Sequence, residues 1–99
     1  MSIEFDYIRA KQQADQLDTI AKGLNKLAQE QYDDTLQGIA ANWQGESAES
    51  YVGKGNILKE NIVGSSKELH KIADDIRIIA KRIYDAEMAA RARARRRNY

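Results

Sequence analysis

The sequence predicts an all-α protein: an antiparallel two-helix hairpin that dimerises into an elongated four-helix bundle. Three observations predict it. Two long segments carry apolar and small residues at alternating steps of three and four, the period of one helix face. One short stretch, 42–46, separates them, places Gly45 at the reversal and is too brief for anything but an antiparallel return. The apolar stripes are also wider than the seam between two helices requires, and surplus apolar surface asks for a partner.

The first helix is expected over about residues 6–41. Ala10, Ala14, Leu17, Ala21, Leu24 and Ala28 form a heptad-like seam, widened by Ile20 and Leu27, and Tyr32, Leu36 and Ile39 carry it onward. Gly23 and Gly38 each cost about 1 kcal/mol relative to alanine without ending the pattern. The alanines let another helix approach closely. In the turn, Trp43 and Gly45 bracket Gln44: glycine accepts the positive φ of a sharp reversal, and the indole is expected to plug the open end of the bundle with its N–H on a carbonyl.

The second helix is expected over about 47–90, capped by Ser47, with Glu49 near the positive end of the dipole. Ala48, Tyr51, Val52, Leu58, Ile62, Leu69, Ile72, Ile76, Ile79 and Ile83 trace one face. Between Leu69 and Ile83 every step is filled by leucine or isoleucine, the strongest periodic signal in the chain. Leu17, Ile20, Leu24, Leu27, Leu69, Ile72, Ile76, Ile79 and Ile83 are therefore the expected hairpin and dimer contacts, with Ile20, Leu27, Ile57, Val63 and Ile78 outside the seam between the two helices of one hairpin. Gly53, Gly55 and Gly64 make residues 53–66 the weaker half. A strand reading competes only at "DIRIIAKRIY" and fails there, because strict alternation is absent. Helices of about 35 and 44 residues are roughly 50 and 65 Å long at 1.5 Å per residue.

Ninety-nine residues, 42% hydrophobic and 31% charged, describe one small domain with limited capacity to bury surface alone. The net charge of +1 conceals an asymmetry. Residues 91–99 hold five arginines (Arg91, Arg93, Arg95, Arg96 and Arg97) and no acid, leaving 11 basic and 15 acidic groups in residues 1–90, so the body is −4 and the tail +5. Such a tail can grip nucleic acid or an anionic membrane through phosphate contacts. Apart from Tyr99 no aromatic accompanies the arginines, which favours a solvated end fraying from the helix. No run approaches the roughly 20 apolar residues of a membrane span, and "MSIEFDYIRA" lacks the order of a cleavable secretory signal.

Chemistry-bearing clusters are sparse. The absence of cysteine excludes disulfides, thiolate catalysis and cysteine zinc sites. The single histidine, His70, has Glu68 and Asp74 nearby, short of the three or four converging ligands a metal needs, and reads as a polar surface residue. Asp33 with Asp34, and Asp74 with Asp75, are adjacent and so point about 100° apart on a helix rather than facing one another. Ser65 and Ser66 have no basic partner at a recognisable spacing, and "GKGN" has too few glycines for a phosphate loop. The expectation is no enzyme, no cofactor, no metal and no small-molecule substrate.

A chain of this length, with Trp-x-Gly between two long helical patterns in "NWQGESAESYVGK", resembles the WXG100 family, the ESAT-6-like proteins of type VII secretion systems. Trp43 and Gly45 give the signature, while Ala48 and Tyr51 stand where the family places a small residue and an aromatic. The resemblance implies a hairpin that pairs as homodimer or heterodimer with a related chain. It further implies export, without a cleavable signal peptide, from the cytoplasm by a membrane ATPase of the FtsK/SpoIIIE type. It places the Trp-x-Gly turn of one subunit near the carboxy-terminal end of the partner's second helix, where a Tyr-x-x-x-Asp/Glu completes a bipartite export signal. Tyr84 occupies the tyrosine position, but Met88 stands where the acid belongs, and Glu87 at i+3 is the expected substitute. The alternative implied by the same departure is an accessory partner for the helical domain of a larger LXG-type toxin. A nucleic-acid or membrane binder using residues 91–97 is the remaining reading.

Overall fold

A computed structural model describes residues 2–43 and 45–97, and every element among them is helical. Gln44 of the turn, and Asn98 and Tyr99 of the tail, lie outside the described residues. Helix α1 (Ile3–Lys26) passes into a π-helical stretch, Leu27–Tyr32, and then into α2 (Asp33–Asn42), the three forming one arm. The other arm is a single helix of 52 residues, α3 (Glu46–Arg97), packed antiparallel against the first. At 1.5 Å per residue α3 accounts for the length of the molecule, whose extents are 83 × 15 × 15 Å.

Local chemistry sets the ends. Ser2 Oγ accepts a hydrogen bond from the Phe5 N–H at 3.0 Å and starts α1 a turn earlier than the apolar pattern predicts. At the turn, Gly45 has φ +101°, and the Glu49 N–H donates to its carbonyl at 3.3 Å. The helix thus opens at Glu46, so Ser47 lies inside the first turn and is not its cap. The expected separation of a tail at residue 91 is also overturned: α3 runs unbroken through Arg91, Arg93, Arg95, Arg96 and Arg97. Arginine and alanine are strong helix formers, and cations suit a helix carboxy terminus.

The arms meet along small side chains. Ala14, Ala21, Ala28 and Ala73 have no exposed surface, Ala48 and Gly55 are buried beside them, and the only buried polar residue described, Ser66, donates to the Ala21 carbonyl at 2.7 Å. Gly55 is where the arms come close enough that an added Cβ would displace the end of the Leu36 side chain. Buried positions on the first arm advance by seven from Ala14 to Ala28, then by eight to Leu36. The π-helical stretch lies across that longer step, and its wider turn absorbs the extra residue so that Leu36 still faces α3.

The densest apolar stripe is therefore not the hairpin seam. Leu17, Leu24, Leu69 and Ile76 are half-buried at its edge, whereas Ile20, Leu27, Ile72, Ile79 and Ile83 are exposed by roughly half. Alanine, glycine and serine occupy the centre because they permit the closer approach of the two backbones. No large side chain is fully buried among the described residues.

Candidate functional site

The two sides of the hairpin differ in kind. On α3, His70 and Arg77 lie to one side of the Ser66 and Ala73 seam, and Ile72 and Ile79 lie about 100° to the other. On α1, Asp18 and Asp15 share the first side, and Ile20 and Leu27 the second. The first flank is closed by contacts between the arms: ion pairs Asp33–Lys59 at 2.8 Å, Asp15–Arg77 at 2.7 Å and Glu4–Arg91 at 3.0 Å, and a hydrogen bond joining His70 Nδ1 and Asp18 Oδ1 at 2.7 Å, with Asp18 also bound by Arg77. Sequence separations of 26 to 87 hid these partners, although charges beside a small-residue seam mark where such pairs form. His70, first against Asp18 and then Arg77, holds that carboxyl below its usual range, and the aspartates raise Arg77 in turn.

The second flank is apolar and open. Toward the turn it holds a groove of about 360 Å³ lined by Tyr32, Leu36, Ile39, Tyr51 and Leu58. Toward the termini Ile3, Tyr7, Ala10, Ala80 and Ile83 border a smaller one of about 110 Å³. Between them run Leu24, Leu27, Ile20, Leu69, Ile72 and Ile76.

The turn carries an exposed aromatic pair. The Trp43 backbone N–H closes the last turn of α2 on the Ile39 carbonyl at 2.9 Å, and the indole ring lies 6.0 Å from the ring of Tyr51. Trp43 is 54% exposed in the single hairpin, and its indole stands outside, beside a notch lined by Ala40, Ala48, Val52 and Gly53. At the far end Tyr84 packs its ring 4.7 Å from that of Tyr7, and Lys11 Nζ lies 4.7 Å over the Tyr7 ring. Met88 is half-buried, Glu87 is exposed, and Arg91 is tied to Glu4. Trp43 and Gly45 thus occupy one end of an 83 Å rod and Tyr84 and Glu87 the region of the other, and a single chain does not bring them together.

Among the described residues no group of three potential metal ligands converges, and no helix is long and apolar enough to cross a membrane. Comparison with protein-family models, curated proteins and solved structures returned no match.

Proposed function

We propose that the chain is a WXG100-like interaction module, exported by a type VII secretion system or escorting a substrate through one, as half of a helical-bundle dimer. The observation that carries this reading is the pairing of an outward Trp43 at a Gly45 reversal with a flank on which Ile20, Leu27, Leu58, Ile72 and Ile79 stand exposed along both arms. The hairpin satisfies its charges internally on one side and leaves its apolar surface on the other, the division expected of one layer of a four-helix bundle. Trp43 then serves recognition rather than folding, since it covers little of its own chain.

The test is export from a strain with an intact type VII system and from one lacking its ATPase. The wild-type chain is expected in the culture fluid of the first strain only. Trp43→Ala is expected to stay inside the cell while keeping its helical content; equal export of both chains would refute the role given to Trp43. Met88 at the acid position of the Tyr84 motif favours a second reading, pairing with the helical domain of a larger toxin that supplies the missing carboxylate. Export that depends on co-expression of such a partner identifies that case.

A further inference from the structure

The contacts that close the polar flank follow one order. The first arm supplies the carboxylate, at Glu4, Asp15, Asp18 and Asp33, and α3 supplies its partner, at Arg91, Arg77, His70 and Lys59. Between Asp18 and Asp33 the order fails. There Lys22, Asn25, Lys26 and Gln29 of the first arm and Lys67 and His70 of α3 line a groove of about 370 Å³. Both arms present cations at this one level, and none of the three lysines enters an ion pair among the described residues. Like charges gathered across a seam repel unless an anion lies between them. In residues 1–90, whose net charge is −4, this groove is a local concentration of positive charge.

Its walls suit an anion that accepts many hydrogen bonds. His70 Nδ1 is joined to Asp18 Oδ1 at 2.7 Å, which orients the ring and leaves Nε2 for the groove. Ser66 forms a fixed floor, its hydroxyl donating to the Ala21 carbonyl at 2.7 Å. The π-helical stretch Leu27–Tyr32 brings Gln29 and Glu30 to the same wall, and such stretches are frequent at functional sites. No phenylalanine, tyrosine, tryptophan or aliphatic side chain lines the groove, so nothing there stacks on a base or takes an acyl chain. Asp18 and Asp33 bracket it along the rod, about 22 Å apart at 1.5 Å per residue, and oppose an anion that outruns the gap.

We propose that this groove binds a compact phosphate chain, two or three phosphoryl groups long, between Lys22 and Lys26 on one arm and Lys67 and His70 on the other. The lysines meet its charge, the amides of Asn25 and Gln29 donate to its oxygens, and Glu30, the one acid on the rim, opposes it. A bound chain joins the arms at the level where their own charges do not. The site lies on the flank away from the exposed isoleucines and does not depend on the export-module reading.

Titration calorimetry of the whole chain with inorganic tripolyphosphate at low salt is expected to show one site per chain, weakened by added salt. Lys22→Gln and Lys67→Gln each remove one charge-assisted contact and are each expected to weaken binding about tenfold. Both side chains are exposed, so helical content is expected to stay unchanged. Glu30→Gln is expected to tighten binding about threefold, a gain that no loss of folding mimics. Arg95→Gln combined with Arg96→Gln removes more charge from the end of α3 and is expected to leave the affinity unchanged. Adenosine triphosphate is expected to bind no more tightly than tripolyphosphate. The proposal is overturned by no binding at millimolar tripolyphosphate, by equal losses in the groove and arginine variants, or by affinity that keeps rising toward long polyphosphate or duplex DNA. A chain that binds tripolyphosphate as expected but is never exported upholds this site and removes only the secretion reading.

Discussion

Asp18 sits where three side chains from both arms converge, and its lowered pKa makes stability depend on pH with a definite sign. A carboxyl whose folded pKa lies below its unfolded value of about 3.9 stabilises the fold above that pH, and the contribution disappears as pH falls below it. Between about pH 4 and pH 2 the unfolding midpoint of the wild-type chain is expected to fall more steeply than that of Asp18→Asn, which is already the weaker protein at pH 7. Thermal melts followed by circular dichroism across that range check this, and parallel slopes would show that the cluster does not form in solution. Neither Asp18 nor its partnership with His70 and Arg77 was legible in the sequence, because the residues lie 52 and 59 positions apart and local spacing directs attention to Glu68 and Asp74. Gly45 was legible, since a reversal this short needs a residue that accepts φ +101°. Trp43 was legible in position, and within one hairpin two arms closed by alanines leave no cavity for its indole.

Helix periodicity located both arms, and it went astray where the residue with the greatest hydrophobicity was not the one in the seam. Leu69 to Ile83 reads as the core because leucine and isoleucine dominate it, yet Gly55, Ser66 and Ala73 are the residues that meet the first arm. The π-helical stretch escaped notice because a step of eight between Ala28 and Leu36 still lies near two helical turns. Its role gives a prediction. Deleting Gln29, an exposed residue of the stretch, restores a step of seven and is expected to leave helical content and the unfolding midpoint at wild-type values or above. Deleting Gln16 instead turns the preceding residues by about 100° off the seam and is expected to lower the midpoint by about 10 °C. Equal effects from the two deletions would mean that the stretch does not absorb the extra residue. The arginine segment belongs to the same scale: a run of like charges reads as a solvated end, but alternating arginine and alanine continue a helix that the Glu4–Arg91 pair anchors.

The rod as a whole is an asymmetric layer, polar where its arms are tied together and apolar where they are not. If a second copy covers the open flank, folding and association are one equilibrium, and stability rises with chain concentration by mass action. A hundredfold dilution is expected to lower the unfolding midpoint by about 5 °C, read by calorimetry or circular dichroism at two concentrations. An unchanged midpoint would show that the hairpin stands alone. The seam explains why association should matter so much: Ala14, Ala21, Ala28 and Ala73 withdraw only methyl groups from water, where a buried leucine or isoleucine contributes about 1.5–3 kcal/mol. Under that pairing the molecule would take a census of its own kind: where copies are plentiful they would complete one another and persist, and a solitary copy would spend more time open and meet cellular proteases first.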